Sequence, residues 1–109
     1  METVFNKLVR DNIPDIISKN GEVAVTRVLS NEEYRKELYK KLIEECNEVI
    51  NAKDKVAILE ELGDVLEVIR AIAEFEDKTI SDIISIADDK KKERGGFSKR
   101  IFLEKKHTK

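Results

Sequence analysis

Two clusters of acidic residues are the part of this sequence that could do chemistry. The first lies in LIEECNEVI, residues 42–50, where Glu44, Glu45 and Glu48 fall within about one and a half helical turns. The second lies in ELGD, residues 61–64, after twelve intervening residues. Carboxylates this close together repel one another. Either water and nearby lysines dilute that repulsion, or a cation binds between them.

The first cluster belongs to a predicted amphipathic helix. An S-x-x-E capping box at residues 30–33 marks its start, and its pattern continues to about Ala52. At about 100° per residue, Glu45 lies at the margin of the apolar arc, Glu48 lies next to it, and Glu44 points furthest from the core. The apolar arc consists of Leu38, Tyr39, Leu42, Ile43, Cys46, Val49 and Ile50.

The second cluster belongs to a second predicted helix, from about Lys55 to Phe75, which Asp54 can cap. Glu61 falls inside the apolar arc of this helix, and Asp64 lies near its edge. An ionised carboxylate on a core face is costly unless a cation or several donors meet it. The arc consists of Ile58, Leu59, Leu62, Val65, Leu66, Val68, Ile69 and Ile72.

Antiparallel packing of the two helices would make four carboxylates converge, those of Glu45, Glu48, Glu61 and Asp64. Hard oxygen ligands favour Mg²⁺ or Mn²⁺, and His107 is too isolated to favour zinc. The alternative is an ordinary solvated face, because helical glutamates commonly pair with lysines four residues away, as Lys41 and Glu45 could. The position of Glu61 within an apolar arc favours the metal site modestly.

Shorter elements flank this helix pair. Residues 11–21, DNIPDIISKNG, predict a short helix that Asn12 caps and Gly21 ends. A capping pattern at residues 79–82 begins a last helix, which ends at the glycine pair 95–96.

Two segments outside the helices have the composition of strands. Residues 22–29, EVAVTRVL, are rich in β-branched side chains, and residues 99–105, KRIFLEK, could pair with them. The predicted fold class is therefore mainly α, a bundle of about four helices with a small β element. No linker or repeat divides the chain, so a single domain over residues 1–109 is expected.

Composition narrows the possible partners and location. The net charge of −2 gives no reason to expect binding to nucleic-acid polymers or membranes. The sequence shows neither a membrane-length apolar run nor an apolar signal core, and its one cysteine, Cys46, suits a reducing compartment. We therefore expect a cytoplasmic protein, with Cys46 buried on its apolar arc. A length of 109 residues leaves little room for a deep cleft in one subunit, which favours self-association.

The paired acidic motifs resemble the EExxE…ExxD signature of MazG-like, all-α nucleoside triphosphate pyrophosphohydrolases. EECNE at 44–48 and ELGD at 61–64 match it, with Cys46 and Asn47 at its variable positions. NKLVRDNIPDII near the start and KERGGFSKRIFLE near the end look like the flanks of a MazG-like branch described as house-cleaning pyrophosphohydrolases. The resemblance covers nearly the whole chain.

The resemblance implies a helical bundle that assembles as a homodimer or homotetramer. It implies Mg²⁺-dependent cleavage of nucleoside triphosphates between the α and β phosphates, giving a monophosphate and pyrophosphate. By motif position Glu45 would be both a metal ligand and a catalytic residue, and Glu44 would orient a ligand or help to activate water. The implied metal ligands are Glu45, Glu48, Glu61 and Asp64.

Basic residues could contact the substrate phosphates. Lys90 and Arg94 share a helix face, and the resemblance to a K-x-x-x-R pattern makes them the first candidates. Lys7 and Arg10, in KLVRD, are further candidates. Arg10 could instead pair with Asp11 or another acid and anchor the N-terminus.

The sequence is also compatible with two other functions. Phosphoribosyl-ATP pyrophosphohydrolases belong to the same broad all-α group and split the same bond. A non-catalytic helical module that binds nucleotides or a protein partner could keep the fold alone, although every acidic motif position is filled here. A screen of metal-dependent activity and binding separates these functions.

Overall fold

Helices are the only regular secondary structure of the chain, as a computed structural model covering residues 1–109 describes it. The mainly α prediction is therefore confirmed. None of the helices combines the length and the apolar composition that a membrane crossing needs. The four helices are α1, Ile13–Lys19; α2, Asn31–Asn51; α3, Lys55–Phe75; and α4, Ile80–Arg94.

The helix boundaries follow from local side-chain chemistry. At the start of α2 the Ser30 hydroxyl accepts a hydrogen bond from the Glu33 N–H at 3.2 Å, and the Glu33 carboxylate accepts one from the Ser30 N–H at 3.3 Å. A second capping box, between Thr79 and Asp82, begins α4. Gly95 ends α4 at a φ of +82°, a conformation that side chains with a Cβ disfavour. Both capping boxes were predicted, and both are confirmed.

The centre of the fold is an antiparallel pair of long helices. Residues 52–54 join α2 to α3, and the Asp54 carboxylate caps α3 by accepting the Ala57 N–H at 2.9 Å. Such a short connection forces the two helices to run antiparallel as neighbours. The last helix packs against α3 alone.

The tight core of this pair is small. Leu38 on α2 and Val68 and Ala73 on α3 are the buried residues. Tyr34 and Phe75 extend the contact with an edge-to-face pair whose ring centroids lie 5.6 Å apart. The buried side chains are thus concentrated along one seam between α2 and α3.

We expect Leu38→Ala to destabilise the protein by about 2–5 kcal/mol, because it leaves a cavity at the best-packed point of that seam. Chemical denaturation monitored by far-UV circular dichroism measures the loss. Val28→Ala is the matched control, since Val28 is an exposed apolar side chain outside the helices and its truncation should change the unfolding free energy little. Equal effects of the two substitutions would contradict this assignment of the core.

Much of the apolar surface of the long helices is uncovered. Ile43 is 64% exposed and Leu59 is 58% exposed. The Cα radius of gyration is 18.7 Å, whereas a compact domain of this length has a radius of about 13 Å. The exposed apolar side chains on α2 form a stripe at helical spacing: Tyr39, Ile43, Cys46 and Ile50. A second stripe on α3 consists of Leu59, Leu62 and Leu66.

The predicted β element is absent. Residues 22–29 and 99–105 contain no strand, and side chains such as Val25 and Phe102 are almost fully exposed. A strand needs a neighbouring backbone for its hydrogen bonds, and an isolated two-stranded ribbon is marginal in water. β-branched composition alone was therefore insufficient to predict a strand in these segments. The side chain of Asn12 also makes no capping hydrogen bond, because its backbone is already in the helical region.

Candidate metal site

Three carboxylates come together at the seam between the long helices. Glu45 on α2 and Glu61 and Asp64 on α3 each place an oxygen within 4.8 Å of the other two. All three residues are half-buried. We call Glu45, Glu61 and Asp64 the acidic triad. The antiparallel pairing and the three-residue spacing on α3 bring both sequence clusters to one place.

The pKa of Glu61 is raised from its ordinary value. Partial desolvation is the largest cause, and the negative charges of Asp64, Glu48 and Glu45 add to it. Glu48 is exposed and lies outside the acidic triad, but its charge reaches Glu61. A cation at this point would relieve the repulsion that Glu61 experiences.

The donor set fits a hard divalent cation. Mg²⁺ binds oxygen ligands at about 2.1 Å, so oxygens in one octahedral shell lie at most about 4.2 Å apart. The triad oxygens lie within 4.8 Å of one another. Of three ligands in an octahedral shell, at least two pairs are adjacent and about 3.0 Å apart, so side-chain rotations of up to about 2 Å would bring the three carboxylates onto one ion. Carboxylates without cysteine or histidine favour Mg²⁺ or Mn²⁺ over softer metals.

Glu44 lies beside the triad in a different environment. Desolvation raises the pKa of its carboxyl, but the hydrogen bond from Lys7 and the charges of Lys41 and Lys7 outweigh it, so the net pKa is lowered. Glu44 Oε1 lies 3.3 Å from Lys7 Nζ and 3.4 Å from Lys41 Nζ. Glu44 is therefore an ionised acceptor held by two lysines.

Lys41 links Glu44 to the acidic triad. Its Nζ atom lies 3.6 Å from Glu45 Oε1, the pairing that an ordinary solvated helix face would show. The Lys41 side chain is only 16% exposed, however, and Glu45 also belongs to the triad. One lysine thus braces the two adjacent glutamates. In the sequence, the signal for this double contact is the spacing of three and four residues from Lys41 to Glu44 and Glu45.

The KLVRD segment, residues 7–11, contacts the acidic residues of the two long helices. Arg10 Nη2 contacts Asp64 Oδ1 at 2.6 Å, and Lys7 reaches Glu44. Arg10 therefore pairs with an acid, and that acid is Asp64 rather than Asp11. No periodicity in the sequence could have indicated this contact, because it joins an irregular segment to α3.

Lys90 and Arg94 are not brought to the triad within one chain. Both are exposed on the last turns of α4, which has no contact with α2. Neither forms an ion pair. Both side chains therefore have their full hydrogen-bonding capacity left for another group.

The predicted burial of Cys46 is wrong. Its side chain is exposed because it lies on the part of the α2 apolar arc that turns away from α3. Helical periodicity identified the arc, but it could not show how much of that arc a single neighbouring helix covers.

Fold and site together define an all-α protein with a carboxylate cluster on a helical hairpin. A family model, the MazG nucleotide pyrophosphohydrolase domain, matches residues 33–95, which is more than half of the chain. The chain belongs to this family. The matched span contains both acidic clusters, Lys90 and Arg94, and it leaves out the KLVRD segment. No curated protein and no solved structure matches the chain.

Proposed function

We propose that this protein is a Mg²⁺-dependent pyrophosphohydrolase that cleaves nucleoside triphosphates between the α and β phosphates. The products are a nucleoside monophosphate and pyrophosphate. The observation that carries the proposal is the acidic triad, with its half-buried Glu61, inside a MazG nucleotide pyrophosphohydrolase domain.

Phosphoryl transfer needs charge neutralisation and positioning more than covalent help. Glu45, Glu61 and Asp64 would hold the ion, and Glu48 would join them by a rotation of its exposed side chain. A bound Mg²⁺ would supply Lewis acidity and lower the pKa of a coordinated water. Glu45 would accept a proton from that water or orient it, as a second role.

Glu44 is suited to orientation rather than to strong basicity. Its lowered pKa makes it a weak proton acceptor at neutral pH, whereas its ionised oxygens can fix a water or a lysine. Lys7 and Lys41 hold the carboxylate in place. We therefore assign Glu44 the task of orienting the attacking water.

Lys90 and Arg94 are our first candidates for contacts to the substrate phosphates, because neither is committed to an acid in the chain. Lys7 and Arg10 are further candidates, and both already lie at the acidic residues. Since neither cation forms an ion pair with a triad carboxylate in one chain, they would serve the site of a second subunit or follow a movement of α4.

We further propose that the protein acts on non-standard nucleotides in the cytoplasm, as a house-cleaning enzyme. The KLVRD and RGGF flanks support this role through their resemblance to that branch.

We also propose that the protein is a homodimer or homotetramer. The exposed apolar stripes on α2 and α3 support self-association, because contiguous apolar patches on a helix face mark interaction surfaces. The extended shape of the single chain agrees with that proposal.

A screen of standard, deoxy and modified nucleoside triphosphates, with phosphoribosyl-ATP included, tests the function. We expect pyrophosphate rather than phosphate to be released from at least one nucleoside triphosphate when Mg²⁺ is present, and no release after chelation by EDTA. Activity confined to phosphoribosyl-ATP would assign the alternative enzyme. Binding of Mg²⁺ and nucleotide without turnover would assign a non-catalytic module, and orthophosphate as the product would contradict the proposed bond cleavage.

A further inference from the structure

The N-terminal arm, residues 1–12, spans the two helices that carry the acids. Its Lys7 contacts Glu44 on α2, and its Arg10 contacts Asp64 on α3. The two contacts join parts of the chain that lie 37 and 54 residues apart in sequence. The arm therefore places positive charge at the point where both acidic clusters meet.

The contact between Arg10 and Asp64 is the closer of the two, at 2.6 Å. Asp64 also belongs to the acidic triad. A divalent ion held by the triad would lie within a few ångströms of the guanidinium, and two cations at that distance repel each other. Arg10 thus supplies Asp64 with a positive charge of the kind that a bound ion would also provide.

The repulsion is moderate because the pair is open to water. The Arg10 side chain is 57% exposed and that of Asp64 is 42% exposed, so solvent screens their charges. Residues 1–10 also contain no helix or strand. Arg10 can therefore leave Asp64 without unfolding an element of secondary structure.

A bound triphosphate would offer the Arg10 guanidinium a second anionic partner besides Asp64. A metal-bound triphosphate places anionic oxygens beside the ion, and guanidinium groups bind phosphate in a forked geometry. Arginine carries five N–H donors, and the contact with Asp64 uses one nitrogen, Nη2. The remaining donors are available for a phosphate at the same place.

We propose that Arg10 is a counter-cation for Asp64 that moves to a substrate phosphate when metal and triphosphate bind together. This inference rests on the proposed metal site at the acidic triad. Its consequence is selectivity: Arg10 weakens the binding of a bare ion and strengthens the binding of a metal–triphosphate complex. Metal and triphosphate are then positively coupled through one side chain.

Mn²⁺ binding to the full-length protein tests the exchange, with free Mn²⁺ measured by electron paramagnetic resonance. Relative to the wild type, Arg10→Gln should bind Mn²⁺ alone about three- to fivefold more tightly, since an exposed cation is removed from the site. With Mn²⁺ saturating, the same variant should bind tripolyphosphate about tenfold more weakly, because a charged donor to phosphate is lost. Arg10→Lys should fall between the two proteins in both measurements.

Arg27→Gln is the matched control. Arg27 is also an exposed arginine in an ion pair, but its partner is Glu33 at the start of α2. The control should bind Mn²⁺ and tripolyphosphate as the wild type does. Far-UV circular dichroism of every variant confirms that the helices are intact.

Each other result overturns a specific part of the inference. Weaker Mn²⁺ binding by Arg10→Gln would make Arg10 a residue that orients Asp64 for the ion, and unchanged binding would make it a static anchor of the arm. Tighter Mn²⁺ binding with unchanged tripolyphosphate binding would show that Arg10 does not contact phosphate. Absence of Mn²⁺ binding by the wild type would instead refute the metal site, and with it the proposed function.

Discussion

Replacement of Glu61 by glutamine, Glu61→Gln, is expected to lower pyrophosphate release by about 100- to 1,000-fold. Loss of one preorganised group that stabilises developing charge typically lowers the rate by this factor. Glu61 is the triad carboxylate whose pKa is raised, by partial desolvation and by the negative charges of its acidic neighbours. We therefore expect it to contribute most to holding a cation there. Steady-state kinetics with the best substrate from the triphosphate screen measure the loss.

The same substitution should leave the metal-free protein at least as stable as the wild type at neutral pH. The folded protein raises the pKa of Glu61, so its ionised form costs stability once the pH exceeds the carboxyl's ordinary range. Glutamine removes that cost. Mg²⁺ should raise the melting temperature of the wild type and leave that of Glu61→Gln almost unchanged, because a ligand stabilises only the protein that binds it.

Glu60→Gln is the matched control for this pair of effects. It changes the charge by the same amount on the neighbouring residue, which is exposed. It should retain activity and the Mg²⁺-induced shift in melting temperature. Full activity of Glu61→Gln, or an Mg²⁺-induced shift in melting temperature equal to that of the wild type, would show that Glu61 is not a metal ligand.

A charge in the α2 stripe is expected to dissociate the proposed homo-oligomer into monomers. Ile43→Lys replaces a 64% exposed isoleucine at the middle of that stripe. Burial of an unpaired ammonium in an apolar interface is costly, and residues central to an interface carry most of its binding energy. We expect the dissociation constant to rise by about 100-fold or more, which multi-angle light scattering after size-exclusion chromatography detects as a lower mass.

Dissociation should also lower thermal stability, because the single chain buries only three residues. For an obligate oligomer the melting temperature depends on protein concentration. Val28→Lys is the control, since Val28 is more exposed still and lies outside the helical stripes. A wild-type mass equal to one chain, with a melting temperature independent of concentration, would contradict self-association through this surface.

The helices and their caps could be predicted because their signals are local. The Ser30–Glu33 box, the Asp54 cap and the glycines after α4 act within a few residues, and each lies where the sequence indicates. The position of Glu61 within an apolar arc was also readable from helical spacing. Its partial desolvation in the structure agrees with that reading.

Contacts between distant segments could not be predicted in the same way. The pairing of Arg10 with Asp64 depends on the path of an irregular arm, and no spacing rule links the two residues. The exposure of Cys46 depends on how many helices cover one face of α2. The strand expected at residues 22–29 failed for a related reason, because composition indicates a preference for extended backbone but supplies no partner.

The three-residue connection between α2 and α3 has a consequence for how the site arises during folding. All members of the triad lie within residues 45–64 of one helical hairpin, so the loop that must close to assemble them is short. Contacts that are local in sequence form early, and helical hairpins form faster than structures built from remote segments. We therefore expect the carboxylates to meet before the N-terminal arm packs against them, and a divalent ion that binds at that stage would favour the hairpin during folding.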